Sequence, residues 1–272
     1  MSKLLRYSLA LAALLISAPT WAQQECTLKL GVVPQFEQRK LLQIWQPITD
    51  RLEASFSCRV ELVGAENIPD FESKFAEGVY DLAYMNPYHA VVAHKTQGYL
   101  PVLRSGSKAL QGVLVVMKDS GIQSVAELDG KSLAFPSPNA LGASLLMRAE
   151  LQQLHQVSVQ PQYVKTHPSV YLYVAKGLVS AGGGVQRTLD EQPDELKSVL
   201  KVIYTTQKVP AHPLVIHPRV DQALADRVVQ QLLEIAAESP ELFEAIPMKD
   251  PVRTSLQDYD PVAELHLERF AD

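Results

Sequence analysis

Short apolar runs alternate with stretches of helical period from residue 28 to residue 97, and this alternation limits the chain more than any single motif does. The run 28–33 is followed by Pro34. Behind it Leu41, Leu42, Ile44, Trp45, Ile48 and Leu52 recur at helical spacing and predict a helix over 40–54, which Pro47 should kink or break. A second run, 59–63, leads to an amphipathic stretch over 71–77 that Gly78 ends. A third, 81–84, leads through Asn86 and Pro87 into a helix over 88–97. Strands separated by helices pair through crossovers, which give parallel neighbours of right-handed connection. The chain therefore reads as α/β.

The same grammar continues downstream. A strand over 112–117, a short helix over 124–128 and a strand over 132–135 precede a helix over 139–154, with Asn139 as its N-cap. Tyr163 and Val164 are strand-like, and a helix over 169–176 stops at Gly177. A strand over 178–181 is expected to enter a turn made by Gly182, Gly183 and Gly184. Strands over 199–205 and 214–217 precede helices over 221–237 and 240–245. No short-period repeat or Pro/Ser-rich linker separates two beads. Extended segments near 103–112 and 201–207 instead read as crossings between two lobes, with 23–106 plus 207–272 as the first lobe and 107–206 as the second.

Residues 1–22 carry Lys3 and Arg6, then an apolar stretch from Tyr7 to Ala18, then small residues at Thr20 and Ala22. Those are the three regions of a secretory signal peptide, and the stretch is too short to span a bilayer. The chain is thus expected to be exported to the periplasm. Export would place Cys26 and Cys58 in an oxidising compartment, where an even pair favours a disulfide over two buried thiols. Each directly precedes a strand-like run, so neighbouring parallel strands would bring them within bridging reach. Loss of Lys3 and Arg6 takes the net charge from −5 to −7. An acidic chain without a basic run is not built to neutralise phosphates, which excludes nucleic acid as a partner.

HExxH, CxxC, GxSxG and GxxxxGK[ST] motifs are all missing from the sequence. His89 and His94, like His212 and His217, are five apart and do not share a helix face, so no metal site is expected. The triple glycine lacks a following Lys and Ser/Thr, and no cofactor is expected either. A secreted hydrolase stays open as a reading, with no nucleophile visible in the sequence.

The segment FAEGVYDLAYMNPYHAVVA (75–93) resembles a block that recurs in periplasmic solute-binding proteins, and SVAELDGKSLAFPS (124–137) resembles their entry into a second lobe. FPSPNALGAS (135–144) and THPSVY (166–171) narrow the likeness to the phosphate/phosphite/phosphonate-binding family of ABC importers, over about residues 28 to 250. That resemblance implies the type II periplasmic binding fold: two α/β lobes, each a mainly parallel sheet flanked by helices, with a ligand cleft between them. It implies a monomeric, non-enzymatic protein that hands a small oxyanion to an ABC importer. The alternatives are the same fold as a periplasmic sensor subunit of a membrane histidine kinase and, less favoured, the hydrolase.

A tetrahedral oxyanion needs several donors and no nearby carboxylate. The helix start supplies unpaired N–H groups and a favourable dipole, with Ser137, Asn139 and Ala140 as its donors. His167 adds a donor, whose protonated form a bound anion would favour. Asn86 opens the helix that follows the third strand, Tyr84 or Tyr88 would present a phenol from the other lobe, and Phe36 would cap the cleft. Each has an ordinary alternative: turn, cap, locally bonded histidine or core aromatic. This sequence departs from the family in two ways: its diluted Ser/Thr cluster weakens the case for phosphonate as such, and the absence of an acid over 181–185 and 205–207 disfavours an aminoalkyl ligand.

Overall fold

The computed structural model describes residues 26–56 and 58–271; the expected signal peptide lies outside them. The chain begins with β1 (Cys26–Val32), α1 (Gln38–Ser55), β2 (Cys58–Val63), α2 (Ile68–Ala76), β3 (Leu82–Tyr84), α3 (Pro87–Gln97) and β4 (Leu100–Ser105). It continues through β5 (Gly112–Met117), β6 (Ser132–Phe135), a π-wound turn (Leu141–Leu145) running straight into α4 (Leu146–His155), β7 (Gln160–Tyr163), α5 (His167–Ala175) and β8 (Ala181–Val185). Then come α6 (Gln186–Asp190), α7 (Asp194–Ser198), β9 (Leu200–Thr205), β10 (Pro213–Ile216), α8 (Gln222–Glu238), α9 (Pro240–Ala245), β11 (Pro251–Arg253) and α10 (Asp260–Ala263).

Two sheets result, ordered β11-β4-β10-β3-β1-β2 and β7-β6-β8-β5-β9. The β–α units pair as the alternation requires: β1 is parallel to β2 and β3, and β6 to β7 and β8. Both sheets are nevertheless mixed rather than mainly parallel. The chain leaves the first sheet through β4 and returns through β10, so these two run in opposite directions, as do β5 and β9 in the second. Between them the crossing segments pair where Leu110 and Val209 exchange backbone hydrogen bonds of 2.9 and 3.0 Å, and again where the Gln111 amide donates to the Thr206 carbonyl at 2.8 Å. The buried Glu150 of α4 steadies the return segment, accepting from Gln207 N at 3.0 Å and from the Tyr204 hydroxyl at 2.8 Å.

Helical periodicity translates directly into packing in α1, which buries Leu41, Trp45, Ile48 and Leu52 on one face and runs through Pro47 without a break. Strand alternation does the same in the second sheet: Leu114, Val116, Leu133 and Phe135 face one core, and Val113, Val115 and Ala134 the other. Cys26 and Cys58 sit opposite one another in the β1–β2 register, 4.5 Å apart at Cα, and form a disulfide.

Two local expectations are overturned. Gly182, Gly183 and Gly184 do not make a turn but lie inside β8, in the middle of the second sheet. Close packing requires them there: a Cβ on Gly183 would overlap the Ala143 carbonyl, and one on Gly182 would sit 2.5 Å from Val170 Cγ1. Asn139 is not an N-cap either. The helix starts at Leu141 with Ala140 in the cap position and no side-chain cap, because the π-wound turn sends both Ser144 N (2.7 Å) and Leu145 N (3.2 Å) to the Ala140 carbonyl.

Candidate functional site

The two sheets meet at a seam where the ends of β1 and β3 face the start of the Leu141 helix. Ligands of open α/β sheets bind at such strand ends. A buried cavity of about 20 Å³ lies there, enough for one or two waters at about 10–15 Å³ each. Its walls come from both sides: Val33, Gln35, Ile68, Asn86 and His212 from the first sheet's side, His167, Val185 and the helix start Ala140–Ala143 from the second's. Gln35, Leu110, Val185 and His212 also border an outer cleft of about 580 Å³.

Asn86 ties the seam together. It caps α3 by accepting from His89 N at 2.8 Å, and its Nδ2 donates to the Asn139 carbonyl at 3.0 Å on the opposite side. His89 orients it. The fully buried ring brings Nε2 to 2.9 Å from Glu72 Oε1, and the carboxylate assigns the proton to that nitrogen. One of the two Asn86 amide hydrogens therefore goes to the Asn139 carbonyl rather than to the ring. Polar contacts among the described residues that also cross the seam include the Lys40–Glu191 ion pair, Arg187 Nη2 to Ala245 O at 2.5 Å, and Arg148 Nη2 to Phe270 O at 2.6 Å.

The two histidines on the cavity wall are both buried and neutral. Burial pushes His167 down to about 4; its Nδ1 lies 3.4 Å from Thr188 Oγ1. Burial, with His89, His167 and Arg187 adding to it, pushes His212 down to about 3. The Gln35 amide nitrogen approaches His212 Nε2 at 3.3 Å, so that nitrogen accepts and Nδ1 carries the proton. Gln35, Asn86, His167 and His212 are the cavity's polar side chains, and no Lys, Arg, Asp or Glu lines it. Charge is kept to the outer cleft, where Lys108, Arg187 and Lys249 face Asp190, Glu191 and Glu244.

Of the residues singled out in the sequence, Asn86, Ala140 and His167 line the inner cavity. Asn139 contributes its backbone carbonyl to the seam. Ser137 is buried just ahead of the helix start, and its hydroxyl has no hydrogen-bond partner. Tyr84 is stacked on His212 at 5.5 Å between ring centroids, and its hydroxyl donates to Pro247 O at 3.2 Å. Tyr88 is buried in α3, and Phe36 is buried beneath the Lys40 ammonium, 3.8 Å from its ring centroid. Neither cavity is lined by Phe36, Tyr84, Tyr88, Ser137 or Asn139.

Gln35 and His212 were not anticipated. His212 directly precedes β10, whose Leu214 pairs with Tyr84 in antiparallel register. The N-terminal end of β10 therefore lies beside the C-terminal end of β3, and a rule that looks only at C-terminal ends passes over it.

Residues 30–259 match the family described as "ABC transporter, phosphonate, periplasmic substrate-binding protein". The structure superimposes on a binding-protein component of an ABC phosphonate transporter from Pseudomonas aeruginosa with a TM-score of 0.80 at 16% identity, covering 90% of this chain and 88% of that one. PhnD1 from Prochlorococcus marinus, in complex with methylphosphonate, gives 0.80 at 16% identity, covering 89% and 98%. A Xanthomonas citri protein bound to chloride gives 0.73 at 19%, covering 90% and 98%. The fold is the two-lobed periplasmic binding fold, and the chain belongs to the periplasmic substrate-binding proteins of phosphonate ABC transporters.

Proposed function

We propose that this protein is exported to the periplasm, captures a small phosphonate-like oxyanion at the seam between its lobes, and presents it to an ABC importer. The lobes are 23–106 with 207–272, and 107–206, and they close about the crossing segments. One observation carries this reading: the start of a long helix converges with uncharged polar side chains from both sides on one buried cavity free of carboxylates. The first N–H groups of a helix have no partner inside it, and its dipole favours an anion. Gln35, Asn86, His167 and the N–H groups over 141–143 act as donors, with Ser137 behind them. A cavity of about 20 Å³ is smaller than a tetrahedral anion, so the ligand enters with the lobes parted and its volume sets how far they close.

Thermal shift with phosphate, phosphite, methylphosphonate and sulfate tests the ligand class. Saturation at a hundred times Kd adds about 2.7 kcal/mol, which for a domain of this size raises Tm by roughly 5–10 °C. No shift with any of the four overturns the oxyanion reading.

A further inference from the structure

Resting on that capture reading, we propose that the seam cavity takes up a doubly charged oxyanion only together with a proton, and that His167 and His212, one from each lobe, receive it. The cavity wall holds no cationic side chain. Burying a double negative charge among a few neutral donors is costly, and a helix start offsets only about half a unit of it. Two of the three cations of the outer cleft are already bonded to acids. Arg187 is bonded to Glu191 and to the Ala245 carbonyl, and Lys249 to Glu244. Lys108 faces the outer cleft together with Asp190.

The remaining source of positive charge on the wall is the histidine pair. His89, the third buried ring, lies behind Asn86 and donates a hydrogen bond from Nε2 to the Glu72 carboxylate. The other titratable groups beside the pair are phenols: Tyr84 stacked on His212, and Tyr171, which shares Thr188 Oγ1 with His167. Burial raises the pKa of both phenols, so they stay neutral. The same burial keeps both histidines neutral before the ligand arrives. A double negative charge between them reverses that preference, because an opposite charge at close range favours the ionised form. A singly charged anion needs no such compensation and is held by neutral donors.

Isothermal titration calorimetry at pH 8, in two buffers of different ionisation heat, measures the proton directly. Methylphosphonate is expected to take up about one proton per molecule bound, and its affinity, counted per dianion, to rise about tenfold from pH 8 to pH 7. Methanesulfonate, singly charged throughout, is expected to bind without a proton. Uptake is expected to vanish in the His167→Gln/His212→Gln double variant. In the unaltered protein, the ring ¹H–¹⁵N signals of both residues report protonation on addition of methylphosphonate, whether or not the double variant folds. Binding without proton uptake overturns the proposal while leaving oxyanion capture intact. Uptake that persists in the double variant, or rings that stay neutral, places the proton on the ligand and also overturns it. If none of phosphate, phosphite and methylphosphonate binds, the capture reading fails and takes the proposal with it.

Discussion

Replacing Gly183 by alanine tests how the site is built, because this position in β8 holds the helix start against the second sheet. A Cβ there would overlap the carbonyl oxygen of Ala143 and come within 2.7 Å of the Phe135 ring. Ala143 is backbone of the π-wound turn and lines the cavity, so it cannot rotate away as a side chain would. The helix start must lift off the sheet. Overpacking of this kind costs about 1–3 kcal/mol, or a fall in Tm of roughly 2–12 °C. The N–H groups aimed at the cavity move with the backbone, and affinity for methylphosphonate should fall about tenfold, equivalent to about 1.4 kcal/mol. Gly31→Ala is the matched control. Its Cβ would meet the Tyr80 ring at 2.6 Å inside the first lobe, and its three nearest atoms all belong to that ring rather than to the helix start. It should lower Tm comparably and leave affinity unchanged. Melting curves and calorimetry on the two variants separate the effects. Wild-type affinity in Gly183→Ala, or equal losses of affinity in both, would refute the claim that the glycines set the position of the helix start.

Three other outcomes are expected. Asn86→Ser keeps a capping oxygen for α3 but removes the amide that reaches Asn139; losing that bond, about 1–2 kcal/mol, shifts the lobes roughly 5–30-fold toward the open form. Small-angle scattering should then give a larger radius of gyration than for the unaltered protein, and identical curves would remove the seam role of Asn86. The Cys26–Cys58 disulfide closes a loop of sequence separation 32, and chain entropy assigns it about 3.7 kcal/mol. Urea unfolding with and without reductant measures this, and a loss below about 1 kcal/mol would contradict it. Finally, His167 and His212 are neutral in the fold with their pKa values pushed down to about 4 and about 3, so the unfolded chain binds more protons. The contribution of the neutral rings is fully present above about pH 6.5 and falls by up to about 1.4 kcal/mol per pH unit per histidine below it, toward pH 4. Melting temperature without ligand should therefore fall between pH 6.5 and pH 4, and by less in His167→Gln; a flat profile for the unaltered protein would count against neutral buried rings.

Much of the fold was legible because it follows from periodicity. The face of α1 and the pairing of Cys26 with Cys58 are consequences of spacing and strand order. The triple glycine was misread because local propensity favours a turn, while tertiary packing of the Leu141 helix demanded side-chain-free positions inside a strand. Asn139 was misassigned for a related reason: it is a good capping residue, but the chain turns one residue later, where Ala140 accepts two N–H groups. Asn86, Ala140 and His167, which line the cavity, were singled out through segments that resemble a family block. His212 was not, since its place depends on β10 running antiparallel to β3, and nothing local in its sequence reports strand direction.

The net charge of −5 bears on what remains of recognition. A negative protein does not steer an anion toward itself, so the favourable free energy of capture has to arise after arrival. The inner cavity supplies uncharged donors on walls from both sides of the seam. The outer cleft carries charge, yet its bases are balanced in number by acids, and two of the three are held by them. It therefore gives no general pull on anions, but it leaves about 580 Å³ beside the cavity for a substituent. Under the proposed function the two spaces select on different grounds: the cavity on the number of donors and the charge an oxyanion brings, the cleft on the size and polarity of what is attached to it. A bare oxyanion uses only the first, so any preference for an organic phosphonate over phosphate has to come from the second.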